Sequence, residues 1–145
     1  MTAFAHPQRG GLNGALTCDI EGTSTTDASL RFRILSCGRI GYARVSGPLD
    51  VAAIGPFRQQ IQRLLDGGCR ALILDLSRVQ FVDSQGIRAL LLLRDEAEKR
   101  CAWLRMVIPQ GSPVERTLRL LRFESLFTIF GSASAAWRRH LSRRQ

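Results

Sequence analysis

From Leu30 onward the chain alternates between two hydrophobic periods. Leu30, Phe32 and Ile34 alternate with Arg31, Arg33 and Leu35, the two-residue period of a half-buried strand. Cys37-Gly38 suits a turn, and Ile40, Tyr42 and Val45 fall in a second strand, so the pair reads as a hairpin. Gly47-Pro48-Leu49-Asp50 breaks that pattern. Ile54, Phe57, Ile61, Leu64 and Leu65 then recur at helical spacing. Pro56 fits the first turn, where its missing N–H has no partner to lose. Gly67-Gly68 ends this helix, and Ala71–Leu76 is an apolar run around Asp75, as expected of a strand covered on both faces.

Ser77–Val82 reads as a connector, after which Asp83-Ser84-Gln85-Gly86 opens a second helix carrying Ile87, Leu90, Leu91 and Ala97. Trp103–Ile108 is another apolar strand. Pro109–Pro113 forms a loop and helix start, and Val114, Leu118 and Leu121 define a third helix. Phe127–Phe130 suits a short last strand, and Ser132–Arg143 a closing helix with Trp137 and Leu141 inward. The order β-β-α-β-α-β-α-β-α predicts an α/β fold, a mixed sheet with a parallel portion. About five strands would carry four helices, largely packed on one side. Residues 1–28 lack sustained periodicity and read as a flexible N-terminal extension, leaving 29–145 as one domain.

Composition narrows the function classes. The chain has 145 residues, 45% of them apolar and 23% charged, as in an ordinary soluble domain. No run approaches the about 20 apolar residues of a spanning helix, and Ala89–Leu93 is cut off by Arg94 and Asp95. Met1–Gly14 lacks the apolar core of a secretory signal, which argues for a cytoplasmic protein with reduced thiols. Cys18, Cys37, Cys69 and Cys101 form no CxxC pair, and His6 and His140 sit at opposite ends, which argues against a zinc site. There is no GxxxxGK[ST] string for ATP and no Gly-x-Ser-x-Gly elbow around Ser84, so neither a cofactor nor a catalytic residue is expected. The net charge is +9, and Arg138, Arg139, Arg143 and Arg144 crowd the end. Without a helix-turn-helix or RNA-binding signature, these charges read as a solvated helix face, and an acidic protein partner also suits them.

The string ALILDLSRVQFVDSQGIRALL, Ala71 to Leu91, resembles the central segment of STAS domains, in which an apolar strand leads into Asp-Ser-(Ser/Thr)-Gly-(Leu/Ile) at a helix start. Val45-Ser46-Gly47-Pro48-Leu49-Asp50 looks like the family's Gly-x-Leu-Asp turn. Leu120–Phe127 looks like its third helix running into "Gly-Leu-Phe". The resemblance spans roughly Leu30 to Leu141 in order and spacing.

What it implies is a binding module of the anti-sigma factor antagonist type, not an enzyme. The implied partner is an anti-sigma factor with serine-kinase activity, which phosphorylates the serine after the motif Asp and is thereby released; a phosphatase resets the switch. By position the phospho-acceptor is Ser84. Asp50, Asp83, Gln85 and Arg88 fall on the implied partner-binding surface. No direct nucleic-acid contact and no membrane insertion are implied. The chain departs from the family at Gln85, where Ser or Thr is usual, at Arg88, where a small residue is common, and at Ala53, in the helix-1 cap position. These departures leave a second reading: the same fold as a scaffold or accessory subunit of a lipid-transport or stressosome-like assembly, without a phospho-switch. A bare N-cap role for Ser84, worth about 1 kcal/mol, is the plainest alternative.

Overall fold

Strands that follow one another in the chain also lie side by side in the sheet. The computed structural model describes residues 18–20, 30–37 and 39–143. One sheet of six strands runs in the order β1 (Cys18–Ile20), β2 (Arg31–Cys37), β3 (Ile40–Leu49), β4 (Ala71–Val82), β5 (Trp103–Val107) and β6 (Thr128–Phe130). β1 and β2 pair antiparallel, as do β2 and β3; β3 through β6 are parallel. The helices are α1 (Ile54–Asp66), α2 (Ser84–Lys99), α3 (Pro113–Leu120) and α4 (Ala133–Arg143).

The crossover rule explains where the helices sit. Each parallel step, β3 to β4, β4 to β5 and β5 to β6, moves the same way across the sheet. Right-handed crossovers in one direction place every connecting helix on one face. Phe57, Ile61 and Leu65 of α1, Ile87, Leu90 and Leu93 of α2, and Val114 and Leu118 of α3 accordingly share one core with Phe32, Val45, Leu74 and Met106 of the strands. Burying such a side chain contributes about 1.5–3 kcal/mol. α4 follows the last strand and is bound by no crossover. It lies on the opposite face, where Ala136, Ala133 and Trp137 pack with Ile73, Val107, Phe130 and Tyr42. The expectation of helices largely on one side is met by the three crossover helices, with α4 the exception. This second layer also explains why every residue of Ala71–Leu76 is buried. Leu141 has a side chain outside the description.

Four element bounds differ from the sequence reading. Cys18–Ile20, inside the expected flexible extension, pairs with Ile34–Ser36 as an edge strand; the rest of residues 1–28 lies outside the described residues. β3 continues through Gly47-Pro48 to Leu49, because Gly47, at φ 102°, absorbs an irregularity in the register with β4. Ser77–Val82 is not a connector but the second half of β4, pairing Arg78, Val79, Phe81 and Val82 with Ser46, Gly47, Pro48 and Leu49. The mixed pattern hid it, since Ser77, Arg78, Gln80 and Phe81 are exposed while Val79 and Val82 enter the core. Leu121, assigned to the third helix, lies just beyond it and is exposed.

Candidate functional site

β3 and β4 end together, with Leu49 beside Val82. The loops leaving these carboxyl ends therefore share one edge of the sheet, where open parallel sheets commonly place their ligands. The first loop is a short 3-10 turn, Val51–Ala53, and the second is Asp83, which opens α2.

Asp83 holds the two together. Its Oδ1 accepts the Gly86 N–H at 2.9 Å, capping α2, and its Oδ2 accepts the Val51 N–H at 3.2 Å. The Asp83 N–H in turn donates to the Leu49 carbonyl at 3.3 Å. One carboxylate thus satisfies an orphan helix donor and a loop donor 32 residues away. Gly86 completes the seam. A Cβ there would stand 2.2 Å from the Leu49 carbonyl oxygen and 2.7 Å from Val82 Cγ2, so only glycine lets α2 start this close to β3. The glycine of the Asp-Ser-x-Gly string is a packing requirement.

Asp50 does for the first loop what Asp83 does for the second. Its Oδ1 accepts the Ala52 N–H at 3.2 Å, and it caps the 3-10 turn. Ala53, the departure from the family's cap residue, is the N-cap of α1 and offers no side-chain hydrogen bond. The preceding turn, capped by Asp50, takes up that task.

Because Asp83 is the N-cap, Ser84 is the first helical residue and its hydroxyl has no capping duty. Ser84 is exposed, and among the described residues nothing hydrogen-bonds its Oγ. Gln85 and Arg88 are exposed beside it, Arg88 one turn further along α2. Arg88 has no carboxylate partner among the described residues. The fold therefore gathers Asp50, Asp83, Ser84, Gln85 and Arg88 at one edge, although Asp50 is more than 30 residues from the rest in the chain.

Two members of this edge were not singled out from the sequence. Val51 is 69% exposed and Phe81 52% exposed, and both are large and apolar. Phe81 sits opposite Pro48 on the exposed end of β4, and the Val51 N–H is bound to Asp83. Phe81 was hidden in the supposed connector, and its exposure follows from a register no local pattern shows. Exposed apolar side chains at the same edge as an outward hydroxyl make a surface suited to protein docking. A separate open groove of about 460 Å³ lies between α1 and α2, lined by Phe57, Ile61, Leu65 and Leu93 among others; none of the edge residues lines it. Among the described residues no cluster of His, Cys, Asp and Glu is arranged to hold a metal, and no helix is long and apolar enough to cross a membrane.

The comparisons agree with this fold. The sequence model of the STAS domain matches residues 35–136. An anti-sigma factor antagonist from Mycobacterium paratuberculosis superposes with a TM-score of 0.68 at 20% identity, covering 79% of this chain and 96% of the other. The unphosphorylated anti-sigma factor antagonist SpoIIAA superposes at 0.59 with 20% identity, over 77% and 97% of the two chains. The phosphorylated form of SpoIIAA, a Bacillus cell fate determinant, gives 0.54 at 23% identity over 74% and 97%. No curated protein matches the sequence.

Proposed function

The chain belongs to the STAS domain family, and from that premise we propose that it is an anti-sigma factor antagonist: a cytoplasmic protein-binding module, itself without catalytic activity, that docks an anti-sigma factor of the serine-kinase type through the Ser84 edge. Phosphorylation of Ser84 by that partner, with ATP, ends the complex, and a phosphatase restores it. The observation that carries this reading is the Ser84 hydroxyl, exposed at the first position of α2 and relieved of capping by Asp83, with Val51 and Phe81 exposed at the same edge.

A phosphate on Ser84 adds about −1.5 to −2 charges. At the amino end of α2 the helix dipole and free N–H groups favour such a charge, so the fold tolerates it. Arg88, one turn away and exposed, is close enough in the helix to pair with a phosphate. A docked surface covering Val51, Phe81 and Ser84 has no such remedy, since it would have to hold a desolvated dianion against apolar groups. A loss of about 3–4 kcal/mol there weakens binding a few hundred-fold.

The test is incubation with ATP and the serine-kinase anti-sigma factors of the source cell, followed by intact mass and a pull-down. A single phosphate lost in Ser84→Ala, together with release of the partner, is the expected result. Ser84→Asp should bind at least tenfold more weakly than the parent while melting within a few degrees of it. Tight binding to a transport or stressosome-type subunit, with no phosphate transferred, would replace this reading with the scaffold one.

A further inference from the structure

The described side chains of α4 pack over β4 to β6 on their face of the sheet, with Tyr42 at the margin. Among the described residues nothing covers the same face of β2 and β3, and it is lined with arginine. Arg31 and Arg33 on β2 are exposed, Arg44 on β3 is half-buried, and Arg78 on β4 is exposed. All of them point away from the helical core, because their neighbours Leu30, Phe32, Ala43, Val45 and Val79 point into it.

The register makes this cluster unusual. Arg33 stands directly opposite Arg44, and Arg31 and Arg78 flank Ser46 on either side. Like charges opposed across strands destabilise a sheet. The acidic group in the same row, Asp75, is buried and already accepts hydrogen bonds from Tyr42 Oη and from Ser77 N and Oγ. Among the described residues no carboxylate pairs with Arg31, Arg33, Arg44 or Arg78. The helical face is different, since Arg100 is bridged to Asp66 and Glu96, and Arg119 to Glu115. Arg138 on the flanking α4 is exposed too.

We propose that this open face of β2 and β3 binds an extended, acidic polypeptide segment. Alternate residues of a strand recur at about 7 Å on one face. An extended segment with an acidic residue at every second position matches that interval, and planar guanidinium groups take carboxylates two bonds at a time. Single-stranded nucleic acid fits less well, because successive bases need a run of free aromatic platforms, and the exposed Phe81 at the end of β4 supplies one ring rather than a run. Here the guanidinium of Arg105 lies 5.1 Å from the Trp103 ring centre and 6.0 Å from that of Phe130, and the Tyr42 hydroxyl is engaged by Asp75. A flat bilayer is held off by α4, which stands about 10 Å proud of the strands beside it.

Fluorescence anisotropy with the full chain tests this directly. The probes are a labelled ten-residue peptide alternating Glu and Thr, an isomer with its Glu residues in one block, a thymidine oligonucleotide of equal charge, and phosphatidylserine vesicles. The alternating peptide should bind best, with an affinity that falls steeply with salt. The pair Arg33→Thr with Arg44→Thr should lose at least tenfold in affinity, with a melting temperature unchanged or raised by relief of the opposed charges. The pair Arg58→Thr with Arg116→Thr removes the same charge from the helical face and should change affinity less than twofold. Ser84→Asp should also leave peptide binding intact, so failure here is distinguishable from failure at the Ser84 edge. Equal losses in the two double variants would reduce the effect to net charge and overturn the proposal. So would equal binding of the blocked isomer, or tighter Arg33- and Arg44-dependent binding to the oligonucleotide or the vesicles.

Discussion

Tyr42 is the only tyrosine of the chain, and it sits half-buried on the interior strand β3. Burial under the margin of α4 disfavours its ionised form, and the hydrogen bond to the Asp75 carboxylate adds to this, so the phenol is held well above its ordinary value. A raised folded value stabilises the protein while both states keep the proton. That contribution is fully present below the unfolded value of about 10 and is lost as pH rises through the folded one. The tyrosinate absorbance of the native chain should accordingly appear only well above pH 10, and in urea it should return to the ordinary range. Native titration at the ordinary value would show that the Tyr42–Asp75 bond is absent in solution. At the same scale Ser84 and Asp83 divide two tasks that one serine is often given. The carboxylate caps the helix and the hydroxyl is left outward.

At the scale of elements, the edge depends on fastening the turn before α1 to the start of α2. Asp83 makes that connection with its two carboxylate oxygens, and Gly86 lets the backbones meet. Asp83→Ala removes both hydrogen bonds and leaves the Gly86 and Val51 N–H groups to water. A cap alone is worth about 1 kcal/mol, and the second bond brings the expected loss to about 1.5–2.5 kcal/mol in a chemical denaturation series. Amide exchange of Val51 and Ala52 should quicken in the same variant, because the turn loses its anchor. Protection unchanged from the parent would show that the 3-10 turn is held by Asp50 alone.

The whole molecule sets two faces to different uses. The crossover helices close one side with a large apolar core, and α4 closes half of the other with a smaller one. Trp137 is half-buried in that smaller core, beside the buried Arg105, whose Nη1 reaches the Ala136 carbonyl at 3.4 Å. Trp137→Ala should therefore destabilise the domain by about 2–3 kcal/mol, less than the full loss at a completely buried tryptophan. Partner binding at the Ser84 edge should survive wherever the variant remains folded, since α2 and the turn before α1 pack on the other face. Calorimetry beside a binding assay checks both halves of that expectation.

The order of strands and helices from β2 onward, the doubly covered strand at Ala71–Leu76 and the segment Asp83–Gly86 that opens α2 were all determined by the sequence itself. Each is written in side chains two to four positions apart, and short-range periodicity is what a strand or a helix imposes on its own residues. The family resemblance extended this reach to Asp50, which lies in a different part of the chain. What remained illegible depends on residues brought together over long separations. Nothing local shows that Ser77–Val82 stays in the sheet, that Phe81 is exposed, or that Asp83 reaches Val51. Nor does any local pattern tell that α4 takes the opposite face, or that Arg33 stands opposite Arg44 with no carboxylate partner among the described residues. Register and crossover hand decide those contacts, and both are properties of the assembled sheet.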